Sequence, residues 1–516
     1  MPKWWQERVV YQIYPRSFQD TNGDGIGDLP GIISRLDYLR ELGVGVIWLS
    51  PIYPSPNVDF GYDVSDYKAI HPDFGTMQDF DRLVAQAEKR DIKIILDLVI
   101  NHTSDQHQWF QQSRDPHSPY RDYYIWRRGR GGRPPNNWTG FFGGRTWSYD
   151  EQSGQYYLHL FSRHQPDLNY HNPRVLEEVK EIMRFWLDKG AAGFRCDVIN
   201  VLYKTSLENG CPRLILRGRE HYLSQPGNLE ILQELRHVLE DYDAFTVGET
   251  VFITPKEARE LCDQQKGGLN SVFSFEHMET DQLVVKWFKS RFVPSGLARV
   301  LAKWQAAVPW NANYFENHDQ PRSVSRFGDD GYWDKSAKLL CVMLFTLRGT
   351  PFVYQGQEIG MTNFDFAGME EIKDVESHNI YAIARRLGFP RGLSWKLIKA
   401  TSRDNARTPM QWTSGANGGF STAAPWLGVN ANHAEINAAA QRQDPNSVLG
   451  MYKKMIALRQ FSQPLLLGSF EPVDIKRWFF SYRRRLADEV LLVLLNFSAR
   501  PTQAYHTGAL ILSNYL

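Results

Sequence analysis

Eight short apolar runs, rich in valine and isoleucine, recur along the chain and alternate with amphipathic stretches. They are VVYQIYP (9–15), GVIWLSPI (45–52), IKIILDLVINH (92–102), AGFRCDVI (192–199), AFTVGET (244–250), VFSFE (272–276), ANYFENHD (312–319) and TPFVYQGQE (350–358). Several are near-continuous, without polar alternation, which suits parallel strands covered on both faces. The stretches between them supply the covers. In PRVLEEVKEIMRFWLDKG, Pro173 starts a helix, Val175, Val179, Ile182, Met183 and Trp186 form one stripe, and Gly190 stops it. Eight strand–helix units predict an α/β fold, a (β/α)8 TIM barrel. A doubly wound sheet shares the alternation and is the rival.

With 516 residues the chain exceeds a single hydrophobic core. Between strands three and four the connection holds Pro, Gly, Asn and aromatic residues in place of a regular crossover. A structureless loop of that length is improbable, so residues 103–172 are expected to form a small inserted domain. The barrel then spans 1–102 and 173–462, with an irregular region at about 360–425. From 463 to 516 the runs KRWFFSYRR and EVLLVLLNF have no helices between them and predict a C-terminal all-β domain.

Charge excludes some partners. There are 59 basic and 58 acidic side chains, a net charge of +1, so no nucleic acid or other polyanion is implied. Four cysteines (Cys196, Cys211, Cys262, Cys341) lack metal spacing, and neither an apolar signal core nor a membrane-length run is present. The expectation is a cytoplasmic protein with reduced thiols, off the membrane and monomeric. Aromatic residues make up 13%, which fills cores and also suits stacking on sugar rings.

The loop QDTNGDGIGDLPG places Asp20, Asn22, Asp24 and Asp28 at near-alternating positions, with the Ile26 carbonyl among them. It begins like an EF-hand loop but has Gly31 where the bidentate glutamate belongs, and it follows a strand. A calcium-type loop of another fold and a solvated polar turn both remain open.

Barrel enzymes carry their chemistry at strand C-termini. Here those ends hold Asp97, His102, Arg195, Asp197, Glu249, His318 and Asp319. One acid at a strand end commonly caps the next helix. Several ionisable groups converging on one rim shift each other's pKa values, a cost that glycoside cleavage requires: a carboxylate nucleophile, a carboxylic acid donor and charge beside an oxocarbenium-like transition state.

The stretches DLVINH, GFRCDVIN, VGET and ENHD resemble the characteristic segments of the α-amylase family of glycoside hydrolases, and the resemblance covers essentially the whole chain. QDTNGDGIGDLPGI, GYDVSDY and SRDNARTPMQW are similar to its oligo-1,6-glucosidase and dextran glucosidase branch. The resemblance implies a retaining exo-acting α-glucosidase that releases glucose from the nonreducing end of short α-1,6-linked oligosaccharides. It implies Asp197 as nucleophile, Glu249 as acid/base, Asp319 as transition-state stabiliser and Arg195 as the partner of Asp197. His102 and His318 would bond the nonreducing glucose; Asp59, Tyr62 and Arg403 (with Arg407 close by in sequence) would close the pocket; Phe142, Phe161 and Gln165 would line the first subsite. Val198 accompanies α-1,6 cleavage in that branch. The resemblance also implies calcium, or magnesium, on Asp20, Asn22, Asp24, Ile26 and Asp28, in a structural role. Related alternatives are cleavage of sucrose or maltose, or of trehalose 6-phosphate. The last needs cations, and Arg213, Arg217 and Arg219 lie in a segment, 203–227, that matches no pattern. No RLDRD-like motif of the sucrose isomerases is present. A noncatalytic sugar-binding or transporter-associated relative is disfavoured by the three acids.

Overall fold

A computed structural model of the chain describes residues 2–283, 285–503 and 508–515. The first three strands, β1 (Val10–Ile13), β2 (Val46–Leu49) and β3 (Lys93–Leu98), are parallel neighbours. An excursion follows, with β4 (Trp126–Arg127), β5 (Trp147–Asp150) and β6 (Gln155–Leu158) forming a separate antiparallel sheet in the order β4-β6-β5. The main sheet resumes with β7 (Gly193–Cys196), β8 (Phe245–Glu249), β9 (Ser271–Phe273), β10 (Asn311–Asn313) and β11 (Gly349–Tyr354). Its order is β10-β11-β1-β2-β3-β7-β8-β9. The ends β9 and β10 stand side by side, so the sheet curls into a barrel. The doubly wound alternative is therefore excluded.

Nearly every residue of these eight strands is buried, because the interior fills one face and helices cover the other. The helix Pro173–Asp188 is typical of the covers. Asn172 caps it by accepting from the Arg174 amide, a contact worth about 1 kcal/mol. Val175, Val179, Ile182, Met183 and Trp186 are its buried stripe, and Gly190 ends it at φ +91°.

Three elements differ from expectation. The seventh strand stops at Asn313, and residues 314–319 turn across the barrel mouth; its apolar run continues beyond the ladder because Tyr314 and Phe315 are buried there. The sixth is only Ser271–Phe273. The region expected to be irregular contains three helices, Val375–Arg386, Arg391–Thr401 and the single turn Asp404–Arg407; the first two have few buried positions and are separated by Gly388 and Pro390. C-terminally, β12 (Ser469–Lys476), β13 (Phe479–Leu486) and β14 (Glu489–Asn496) form an antiparallel sheet. Residues 504–507 and Leu516 of the expected β unit lie outside the described residues. Among the described residues no helix is long and apolar enough to cross a membrane, and the four cysteines are unpaired thiols.

Candidate active site

One guanidinium organises the centre. Arg195 lies within β7, and its buried side chain reaches the C-terminal mouth of the barrel. Nη1 stands 2.7 Å from Asp97 Oδ1 and 2.6 Å from Asp197 Oδ1, and Nη2 stands 2.7 Å from Glu249 Oε2. Three strands thus bring three carboxyl groups to one cation. Asp97 also accepts from Trp48 Nε1 (3.1 Å) and the Tyr62 hydroxyl (3.0 Å). Asp97 and Asp197 share one nitrogen of that guanidinium, so two carboxyl groups compete for its charge. Burial pushes Asp97 up to about 6 against the pull of Arg195. Burial raises Asp197 as well, with Arg195 opposing.

Asp319 lies opposite under different control. Burial pushes its carboxyl up, but His318, Arg403 and Arg407 outweigh it and hold the group well below the usual carboxylate range. Arg407 Nη2 donates to Asp319 Oδ1 at 2.7 Å, and Arg403 Nη1 lies 3.3 Å from the same oxygen. Burial drives His318 down to about 3, so it is a neutral imidazole near pH 7. Its Nδ1 faces the Gln12 amide at 2.8 Å, its Nε2 is 3.2 Å from Asp319 Oδ2, and Tyr62 stacks on its ring at 5.1 Å.

The pocket ends blind. Arg403 Nη2 donates to Asp59 Oδ1 at 2.9 Å, and the same nitrogen binds Asp374 Oδ1 at 2.6 Å. Asp374 in turn caps the helix Val375–Arg386, which is how the 360–425 region delivers Arg403 to the site. Gln165 donates to Asp59 Oδ2 (3.1 Å) and to the Tyr62 carbonyl (3.1 Å), while His102 Nε2 meets that carbonyl at 3.0 Å. Phe142 lies under the Arg403 guanidinium, and Phe161 packs on His102.

These groups surround a cavity of about 240 Å³. Asp59, Tyr62, His102, Phe142 and Phe161 line it at the blind end, with Asp197, Val198, Glu249, Asp319 and Arg403. Arg195, Gln165 and His318 are fully buried behind that lining and hold it in place. The mouth is formed by residues that motif reading missed, among them Phe252, Glu279, Lys286 and Glu376. No local signal marks them, because they meet only when the loops after β8, β9 and β11 fold together. Lys286 Nζ is bound to Glu376 Oε2 at 2.5 Å. Val198 adopts φ +35°, ψ +43°, a strained conformation for a β-branched residue, and its amide faces Glu249 Oε2 at 3.3 Å.

The 19–31 loop lies after β1. Asp20 accepts from the Gly23 and Gly25 amides (2.8 and 2.9 Å), Asp24 from Ile26 (2.8 Å), and Asp28 caps the helix Leu29–Ser34 through Gly31 (2.6 Å). Among the described residues no three acidic, histidine or cysteine side chains gather as a ligand cluster. A cation here would draw also on Asn22 and the Ile26 carbonyl, an all-oxygen set that suits a hard ion.

Comparison with known proteins places the chain. The model of the α-amylase catalytic domain matches residues 12–468. An oligo-1,6-glucosidase of Parageobacillus thermoglucosidasius is 48% identical over 99% of this chain and 95% of its own length. A trehalose-6-phosphate hydrolase of Bacillus subtilis is 45% identical over 96% and 90%. The crystal structure of a trehalulose synthase variant in complex with Tris superposes with a TM-score of 0.94 at 42% identity, covering 97% of this chain and 92% of that one. The match along most of the chain, on a barrel whose rim carries these acids, makes this protein a member of the α-amylase family of glycoside hydrolases.

Proposed function

We propose that the chain is a retaining, exo-acting α-glucosidase that removes glucose from the nonreducing end of short α-1,6-linked gluco-oligosaccharides. The observation that carries this reading is the blind pocket. The Asp59–Arg403 pair, held from behind by Asp374 and Gln165, leaves room for one terminal ring and no passage for a longer chain.

The chemistry follows from the two carboxyl environments. Asp197 attacks the anomeric carbon, oriented by Arg195, and forms a β-linked glycosyl–enzyme ester. Glu249 donates its proton to the departing oxygen, then takes one from the water that hydrolyses the ester, so the product keeps the α configuration. Asp319, ionised because two arginines flank it, grips sugar hydroxyls and stabilises the positive charge that develops on the ring. His102 and His318, both driven toward the neutral form by burial, orient that ring without adding positive charge beside it.

A phosphorylated substrate fits less well. Carboxylates outnumber cations around the cavity, and Lys286 is already paired with Glu376. Arg213 is exposed and faces Glu220, while Arg217 is engaged through its backbone with Thr139. The test is a panel of isomaltose, maltose, sucrose and trehalose 6-phosphate, with the first-formed anomer followed by NMR. Preference for isomaltose with initial α-glucose is expected; initial β-glucose overturns the mechanism, and preference for the phosphate overturns the substrate.

The 19–31 loop is proposed as a structural calcium site on Asp20, Asn22, Asp24, Asp28 and the Ile26 carbonyl. Its oxygen donors and position away from the carboxyl cluster support a stabilising role with no part in the reaction.

A further inference from the structure

The segment 203–227, which no motif explains, reaches the cavity through Arg219, which lies over the lining residue Phe252. Its core is fixed. Gly218 takes φ +96°, and a Cβ there would stand 2.3 Å from the Trp138 ring, so only glycine lets the chain pass this indole. His221 stacks on the same indole, its ring 5.6 Å from that of Trp138 at 8°. Arg217 and Thr139 exchange hydrogen bonds, Arg217 N to Thr139 Oγ1 at 2.9 Å and Thr139 N to the Arg217 carbonyl at 3.1 Å. The segment is thereby locked to the inserted 103–172 region.

From this support the Arg219 guanidinium extends over the Phe252 ring, 5.4 Å from its centroid. The neighbouring Glu220 does not neutralise it: that carboxylate faces Arg213 at 3.5 Å and accepts from the Cys211 amide. Phe252 is the second unusual backbone at the cavity, with φ +53° where an aromatic residue rarely goes. It lines the cavity yet is 43% exposed, whereas Asp59 and Arg403 at the blind end are 4% and 5% exposed. An aromatic ring at the cavity is held partly in solvent, at a cost in backbone strain, and is backed by a cation that has no ion-pair partner among the described residues. Strain of this kind persists at sites that hold something.

We propose that Arg219 and Phe252 form an outer sugar platform, binding the third unit of a neutral oligosaccharide whose first unit occupies the blind end. The inference rests on the exo-α-glucosidase reading and adds chain-length preference to it. The ring's free surface takes the C–H face of a sugar, and the guanidinium donates to its hydroxyls. A neutral ligand is favoured over an anionic one because the intervening cavity wall carries Glu249, Glu279 and Glu376.

The test is the ratio of kcat/KM for isomaltotriose to that for isomaltose, in the native chain and in Phe252→Leu, Arg219→Met and Arg219→Lys. Losing the flat face or the guanidinium should lower the ratio about 10-fold, an effect of the size expected for one aromatic contact, with the change in KM. Arg219→Lys should recover part of it. Maltotriose and maltose are run alongside: a native preference for that pair refutes the linkage assignment alone, and the length ratio is then read on it. Equal losses on disaccharide and trisaccharide, or an unchanged ratio, overturn the platform. Faster turnover of trehalose 6-phosphate than of any neutral substrate, abolished in Arg219→Met, overturns the neutral ligand.

Discussion

At the residue scale, the two acids that share Arg195 have separable signatures. On the proposed mechanism, Asp197→Asn keeps the shape but removes the nucleophile, and turnover should fall to background. Glu249→Gln removes only proton donation, so isomaltose turnover should fall about 100-fold or more, and less for an aryl glucoside whose leaving group needs no proton. Equal losses on both substrates would contradict the assignment. Val198 offers a finer test. Its left-handed backbone costs on the order of 1–3 kcal/mol and directs the residue into the cavity beside Glu249. Val198→Thr keeps the branching and adds a hydroxyl, while Val198→Ala removes bulk. Both should narrow the preference for isomaltose over maltose, within the roughly 10- to 200-fold that small steric differences supply, mainly by raising maltose turnover. Steady-state kcat/KM values on both disaccharides check this; an unchanged ratio makes Val198 a packing residue.

At the element scale, legibility in the sequence followed locality. Arg195, Asp197 and Glu249 were visible because each sits at or near the end of a buried strand, where a short motif fixes both identity and placement. Asp374, Lys286 and Phe252 were not, since their roles depend on loops that meet only in three dimensions. Arg403 and Arg407 illustrate the boundary. Four residues apart in one segment, they share Asp319, but only Arg403 also holds Asp59 and Asp374, a distinction that sequence spacing does not contain. The 19–31 loop belongs to the same scale. Its carboxylates already organise backbone amides, so a cation would reinforce a loop that is formed by the chain itself. With calcium at about 100 times its dissociation constant, stability should rise by roughly 2.7 kcal/mol. Chelator should lower the melting temperature of the native chain and leave that of Asp24→Ala unchanged. Identical native melting curves with and without verified metal removal would refute the site.

At the scale of the whole molecule, barrel closure was legible from eight strand-forming runs, yet the chemistry that seals it was not. Glu358 follows β11 and is completely buried; its Oε1 accepts from the hydroxyls of Tyr11 on β1 and Tyr38 on the helix Leu36–Leu42, each at 2.8 Å. The first and last barrel strands are thus joined through one carboxyl group, whose second oxygen has no hydrogen-bond partner among the described residues. Burial pushes this group up to about 7, against hydrogen bonds from the two tyrosines. An unfolded glutamic acid titrates near about 4.3. Because the folded value is the higher one, the stability contributed by protonation is fully present below the unfolded value. It is lost as pH rises toward 7, where the folded group finally ionises in a site that cannot solvate it. Glu358→Gln keeps an acceptor for the tyrosines and cannot ionise. The melting temperature of Glu358→Gln relative to the native chain should therefore increase from pH 5 to pH 8. Other carboxyls, Asp319 among them, shift the opposite way and affect both proteins alike, so the difference between the two curves isolates this group. A difference that is flat across that range would show that Glu358 is ionised in the folded barrel throughout, and that the two tyrosines stabilise the anion as well as water does.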